Sequence, residues 1–295
     1  MVRFEQHGFL DTEARREHVA TARGRHGPYF ELMVLASDIA MSLLPLIEHK
    51  GEDQYMAALI FAKMIKAAQA TVILCEAALP NEAAAVGRGV VEAAVALAGI
   101  RRHPGEMLAM FGEDDAHHDY ADLGARADYA RSFKPGGRDE SNLTKAQRRQ
   151  ARDDLRRRRD GNIAWLEERR ADILARYGKE PKPIVWGNLA AQAGATAIYN
   201  MSYRHLSCFG THTTLTGLES LVKKSHDGNG ESIHFSPDYD TVPSVLFHTA
   251  QGFISGIFSA GLLLGLPVED DPRMELLVDS FTQIPKDFLD REIPG

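Results

Sequence analysis

Residues 81–103 read NEAAAVGRGVVEAAVALAGIRRH, and this stretch decides the fold. Pro80 and Asn81 supply a helix start signal, and residues 83–100 are apolar except for Arg88 and Glu92. Because these two residues are four apart, they share one face of a helix. A basic and an acidic side chain in an apolar helix either pair structurally or line a site, and the spacing alone leaves both interpretations open.

The chain on either side of this stretch also has helical periodicity. Apolar residues recur at helical spacing in residues 27–49 and 53–79, and the second of these helices is apolar around so much of its circumference that we expect it to be central. Period-2 patterns are scarce. The sequence predicts an all-α fold, a single bundle of about seven to nine helices. Residues 1–26 form a polar N-terminal arm, and residues 27–295 form the bundle.

Composition predicts a soluble cytoplasmic protein. The chain is 44% hydrophobic and 25% charged, and its first 25 residues are too polar for a signal peptide. Cys75 and Cys208 lie in apolar surroundings, as reduced core thiols do. Residues 242–266 carry no formal charge, but they include His248 and Gln251, so we expect a packed core helix and no membrane span.

Charge is distributed unevenly along the chain. The net charge is -7, yet residues 145–159 contain eight Lys or Arg against two Asp, a local +6 that leaves -13 for the rest. This run lies in residues 134–180, which we interpret as a charged helical insertion or arm. It is either a solvated helix or a surface for RNA or another polyanion. The candidate nucleic-acid-binding residues are Arg152, Arg156, Arg157 and Arg159.

Residues 199–213, YNMSYRHLSCFGTHT, contain the densest group of side chains suited to a site. Tyr203 and Ser207 are four apart on one helical face. We expect Arg88 and Glu92 to face Tyr203 and His212 across a pocket. The alternative is that these polar side chains satisfy one another inside an apolar helix.

An R-x-x-x-E pair in an apolar helix, followed much later by Y-x-x-L-S and a histidine, resembles a family of uncharacterised bacterial helical domains, domain of unknown function five-six-seven-seven. The residues that carry the resemblance are Arg88, Glu92, Tyr203, Leu206, Ser207 and His212. The likeness spans about residues 35–265, and the family has no established activity to carry over. More distantly, the chain is similar to HEPN-type helical domains of toxin and phage-defence systems. Active members of that group are metal-independent ribonucleases with an R-x4-6-H motif; here seven residues separate Arg204 from His212.

A second cluster, in residues 113–122, suggests metal chemistry. Asp114 and His118 are four apart, a spacing at which two ligands reach one metal ion. With Glu92 and His205 from other helices they would form a carboxylate–histidine site for iron or manganese, like that of di-iron bundle proteins. The other interpretation is a solvated acidic surface turn.

The leading hypothesis is a HEPN-like helical protein that acts on or senses nucleic acid, as a metal-independent ribonuclease of a toxin or defence system. His212 would be the general acid and base, and Arg88 or Arg204 would hold phosphate, with Glu92, Tyr203 and Ser207 completing the site. No cofactor is needed. If the protein is an enzyme, this hypothesis makes it a ribonuclease-type hydrolase or transferase.

Two alternatives stay open. The first is a metal-dependent oxidoreductase that uses the iron or manganese site. The second is a non-catalytic helical interaction module in which Arg88–Glu92 and Tyr203–Ser207 are buried structural pairs. The broad apolar faces and the small-residue helix of residues 242–266 are compatible with a homodimer.

Overall fold

The computed structural model describes residues 9, 11–48, 50–132, 144–210, 222–224, 231–233 and 237–284, with backbone alone at 209–210 and in the two short strands. The chain divides into two compact units. Unit one comprises Met1–Gly105 and Trp186–Gly295, and unit two comprises Glu106–Val185. Helices dominate both units, so the predicted all-α class is confirmed.

The elements in chain order are α1 (Thr12–Leu43), a 3-10 turn (Leu44–Leu46), α2 (Glu52–Glu76), α3 (Pro80–Arg102), α4 (Pro104–Ser132), α5 (Lys145–Tyr177), α6 (Trp186–Ala193), α7 (Thr196–Ile198), a π-helical turn (Tyr199–Tyr203), α8 (Arg204–Gly210), β1 (Val222–Lys224), β2 (Glu231–Ile233), α9 (Val242–Leu264) and α10 (Pro272–Gln283). The two strands pair antiparallel, with Val222 opposite Ile233.

Helix α1 runs across the point at which the sequence predicted a break. Asp11 caps it by accepting hydrogen bonds from the backbone of the first turn, and the helix continues to Leu43. Its backbone is non-helical at His26, just before Pro28, because proline lacks the N–H that would bond to the preceding turn. Residues 12–26 therefore belong to a kinked helix with buried residues such as Ala22, where the sequence suggested a polar arm.

Helices α3 and α9 cross closely in the core of unit one. A Cβ added at Gly252 of α9 would lie 2.8 Å from the Val91 side chain of α3, and one added at Gly87 would collide with the Thr249 hydroxyl. Glycine at both positions lets the two backbones approach closely. Helix α3 also packs against α2, α6 and α8, so it holds the central position that organises the unit.

Within the described residues, four helical stretches are long and apolar enough, by length and composition alone, to cross a membrane: Thr12–Leu46, Glu52–Glu76, Pro80–Arg102 and Val242–Leu264. In the last two, 72% and 67% of the most apolar window is buried inside the protein, so packing within unit one accounts for their composition. In Thr12–Leu46 and Glu52–Glu76 the buried shares are 44% and 33%.

Helix α2 is less enclosed than its sequence predicted. Phe61 and Cys75 are buried, and burial raises the pKa of the Cys75 thiol. Tyr55 and Leu59 are exposed on the opposite side. Cys208 is also exposed, so only one of the two cysteines fits the expected core thiol. Apolar composition overestimated the burial of α2 because helices cover only part of its circumference.

Unit two contains a helical hairpin. Thr144 caps α5, and α5 ends at Tyr177, whose hydroxyl donates to the Gly112 carbonyl of α4 at 2.8 Å. Further along α4, Arg131 pairs with Glu167 from an earlier turn of α5. The two helices therefore run antiparallel. The hairpin extends beyond the predicted arm of residues 134–180, because most of α4 belongs to it.

Candidate functional site

Arg88 and Glu92 form the predicted pair on one face of α3. The Nε atom of Arg88 lies 3.3 Å from Oε1 of Glu92, and their side chains are 28% and 22% exposed. The guanidinium carbon of Arg88 is 5.6 Å from the centre of the Tyr203 ring, within cation–π range. The fold thus brings together three residues that the sequence assigned to one site.

Tyr203 belongs to a π-helical turn that places a second tyrosine beside it. Tyr199 and Tyr203 stack with their ring centres 4.6 Å apart and their planes 17° apart. The Arg204 guanidinium lies 5.9 Å from the Tyr199 ring. We call Arg88, Tyr203, Tyr199 and Arg204 the arginine–tyrosine stack: one arginine lies against each ring of a stacked pair. Turns of this widened type occur frequently at functional sites.

The environment of Tyr203 keeps its hydroxyl protonated. Burial, followed by the Glu92 carboxylate, raises the pKa of Tyr203, and the Arg88 guanidinium and a hydrogen bond with Ser207 oppose these effects. At neutral pH the hydroxyl is therefore a hydrogen-bond donor and not a phenolate. The predicted Tyr203–Ser207 pairing is present, one turn apart on the face that carries the stack.

A second polar cluster lies between the π-helical turn, α8 and α9. Ser244 Oγ is 2.6 Å from Nε2 of His205, and the His205 and His248 rings lie 4.1 Å apart. Ser202 Oγ is 3.2 Å from Nδ1 of His248 and donates to Oε1 of Gln251 at 2.5 Å. We call these five residues the imidazole network. Ser202 is fully buried and His248 is 3% exposed.

Both imidazoles of the network are neutral at pH 7. Burial, and then the neighbouring His205, lower the pKa of His248 to about 3, and burial lowers the pKa of His205. Because the single hydroxyl proton of Ser202 goes to Gln251, Nδ1 of His248 must donate to the Ser202 oxygen. The network therefore consists of hydrogen bonds between neutral groups and one contact between imidazole rings, and it joins the π-helical turn and α8 to α9.

The predicted metal ligands are not gathered into a cluster in the part of the chain that the structure describes. No group of three or more His, Cys, Asp or Glu residues suited to a metal ion occurs there. Glu92 pairs with Arg88, and His205 belongs to the imidazole network. In unit two, Asp114 accepts a hydrogen bond from the Ile184 backbone at 2.7 Å and lies 3.7 Å from His118.

Three of the predicted nucleic-acid-binding arginines of α5 lie beside carboxylates of the same helix. Arg156 lies 3.9 Å from Asp153, Arg157 pairs with Asp154, and Arg159 lies 2.8 Å from Asp160. Arg152 is exposed on the same helix. Asp153 and Asp154 are already counted in the local +6, and their pairing places both carboxylates directly against arginines of the run.

His212, the predicted general acid and base, lies outside the described residues.

The sequence analysis did not identify three polar residues that the structure brings together. Ser244, His248 and Gln251 of the imidazole network are spaced i, i+4 and i+7, so they share one face of α9. A polar face on an otherwise charge-free apolar helix was the signal that could have revealed them.

The sequence profile of the family of unknown function DUF5677 matches residues 54–231. The match covers more than half of the chain and includes every residue of the arginine–tyrosine stack, whereas α9 lies beyond it. No curated protein matches the chain, and no solved structure does.

Proposed function

The chain belongs to the family of unknown function DUF5677, and we propose that it is a HEPN-like cytoplasmic protein that binds RNA at the arginine–tyrosine stack and cleaves or senses it there. The observation that carries this proposal is the pair of arginines set against two stacked tyrosines at a π-helical turn. Guanidinium groups bind phosphate in a fixed fork geometry, and aromatic side chains bind unstacked bases.

Partial burial makes Arg88 the stronger phosphate ligand of the two arginines. Its side chain is 28% exposed, so a phosphate there is less screened by water than one at the exposed Arg204. Glu92 orients the guanidinium from one side and leaves other N–H groups for a ligand. Tyr203, held protonated, donates a hydrogen bond to an oxygen of the same phosphate.

For cleavage, His212 would supply the proton transfers. As a base it would remove the proton of the ribose 2′-hydroxyl, whose oxygen then attacks phosphorus. The bond from phosphorus to the 5′-oxygen breaks, and the protonated imidazole returns its proton to that leaving oxygen. Arg88 would stabilise the charge that develops on the phosphate oxygens. The products are a 2′,3′-cyclic phosphate and a 5′-hydroxyl.

The test uses the full chain and a fluorescein-labelled single-stranded RNA in EDTA, with binding followed by anisotropy and cleavage by gel. Arg88→Ala should weaken binding about tenfold or more, because a charged hydrogen bond to phosphate contributes about 1.5–3 kcal/mol. Arg101→Ala is the matched control, since Arg101 is an exposed arginine of the same helix. His212→Ala should abolish cleavage and leave binding unchanged.

The outcomes separate the two forms of the proposal. Binding without cleavage by the wild-type protein would establish sensing and remove the catalytic role of His212. Absence of RNA binding would overturn the proposal. Equal affinities for the Arg88→Ala and Arg101→Ala variants would show that RNA binds elsewhere and not at the stack.

A further inference from the structure

Unit two has an open groove between α4 and α5 with a volume of about 680 Å³. Two aromatic side chains line it and are unusually exposed: Tyr129 is 73% exposed and Trp165 is 50% exposed. Leu155, beside them, is 47% exposed. Neighbouring exposed apolar side chains surrounded by charged residues are typical of a contact surface, because exposing them to water is unfavourable.

These aromatic side chains do not hold the hairpin together. The side chains that are buried in unit two include Leu166 and Ala127, and Tyr177 and Arg131 make the hydrogen bond and ion pair that join the helices. Trp165 presents its ring to solvent, with the Arg169 guanidinium 5.7 Å from the ring centre. The groove can therefore receive a ligand without disturbing the packing of the hairpin.

The charge of the groove favours an anion. Its charged lining residues are all arginines: Arg126, Arg158 and Arg159. Arg126 pairs with Asp122 at 2.8 Å and Arg159 pairs with Asp160, whereas Arg158 makes no ion pair with any residue that the structure describes. An arginine with no carboxylate partner among the described residues, next to two exposed rings, combines a phosphate ligand with platforms for stacking.

We infer that this groove binds single-stranded RNA, with bases stacked on Trp165 and Tyr129 and a phosphate on Arg158. Single strands expose both base faces and phosphates, which is the combination that aromatic side chains and arginines recognise. A duplex hides its base faces, and an acidic peptide offers charge without rings to stack. The inference rests on the proposed function in one respect, that RNA is the ligand, but it assigns a separate surface and the single-stranded form.

The test follows tryptophan fluorescence in the full chain during titration with a ten-nucleotide oligouridylate. The chain has two tryptophans, so a Trp186→Phe background isolates the emission of Trp165. We expect saturable quenching. The Trp165 variants lack this reporter, so their binding is followed by the anisotropy of fluorescein-labelled oligouridylate. Trp165→Ala should weaken binding about tenfold, since stacking on one aromatic side chain contributes about 1–3 kcal/mol per base, and Trp165→Phe should restore most of the affinity. Tyr55→Ala, an equally exposed aromatic residue of unit one, should bind as the wild type does.

Arg158→Ala tests the phosphate contact separately. It should reduce the slope of log K against log salt concentration by about 0.7, the value for one phosphate of a single strand. A duplex of the same length should bind more weakly and leave Trp165 unquenched. Equal quenching by a deca-glutamate peptide would overturn the inference and identify an acidic protein segment as the occupant.

The quenching and anisotropy titrations together distinguish failure of this inference from failure of the proposed function. If oligouridylate binds the wild type and the Trp165→Ala variant equally, without quenching, the groove is not the site, although an Arg88-dependent RNA site still stands. If oligouridylate binds neither protein, both proposals fail.

Discussion

The arginine–tyrosine stack and the imidazole network arise from the same short segment, yet burial gives them different properties. Residues 199–205 contribute Tyr199 and Tyr203 to the stack, and Ser202 and His205 to the network. In the network, Ser202, Ser244 and His248 are buried, and hydrogen bonds join Ser202 with His248 and Gln251, and Ser244 with His205. The stack is half-exposed and keeps cations available to a ligand. Adjacent residues can therefore serve structure and recognition, and the degree of burial distinguishes the two roles.

The network should carry the larger share of stability. His248→Ala removes a buried imidazole from between Ser202 and His205, leaving a cavity and one hydrogen bond unmade. We expect the free energy of unfolding to fall by about 3 kcal/mol, as for other large-to-small changes in cores. Urea denaturation of the wild-type protein and the His248→Ala variant at pH 7 measures this difference in the free energy of unfolding.

Leu262→Ala is the matched control on the same helix, because Leu262 is 54% exposed. The free energy of unfolding of this variant should fall by no more than about 0.5 kcal/mol. A similar small loss for His248→Ala would contradict a structural role for the network and would return His248 to the candidates for catalysis.

The network also predicts a pH dependence of stability. The pKa of His248 is about 3 in the folded protein, against an ordinary value of 6.5. Between these values the unfolded chain binds more protons, so stability is fully present above about pH 6.5 and decreases as the pH falls toward 3. We expect the free energy of unfolding to be about 2 kcal/mol lower at pH 5 than at pH 7. The lowered pKa of His205 acts in the same direction.

His248→Leu isolates this effect, since it removes the titrating ring and leaves every other ionisable group in place. The loss between pH 7 and pH 5 should be smaller in this variant than in the wild type. Equal losses in the two proteins would show that other groups produce the pH dependence and that the network tolerates a charged imidazole.

Local features of the fold could be predicted from the sequence, whereas long-range ones could not. The i, i+4 spacing of Arg88 and Glu92 depends on helical geometry alone, and the structure has the pair. The contact of Ser202 with His248 joins residues 46 positions apart, and the periodicity of the sequence cannot predict a contact over that distance. The pairing of Arg157 with Asp154 could have been predicted, because residues three apart are neighbours on a helix. A net charge for the whole run does not contain this information.

Substitutions at Arg88 in the arginine–tyrosine stack should affect stability less than those in the imidazole network. An i,i+4 ion pair contributes about 0.3–0.5 kcal/mol when exposed, and the side chains of Arg88 and Glu92 retain 28% and 22% of their exposure. Arg88→Ala should therefore lower the free energy of unfolding by no more than about 1 kcal/mol, measured by the same denaturation. Glu92→Gln, which removes the charge and keeps the shape, should lower it by a similar amount.

A loss of about 3 kcal/mol for Arg88→Ala, as expected when one partner of a buried pair is removed, would instead assign Arg88 to the structural framework with His248. The interaction-module hypothesis would then replace the RNA site. A small loss of stability together with a large loss of RNA affinity is the result that only a recognition role produces.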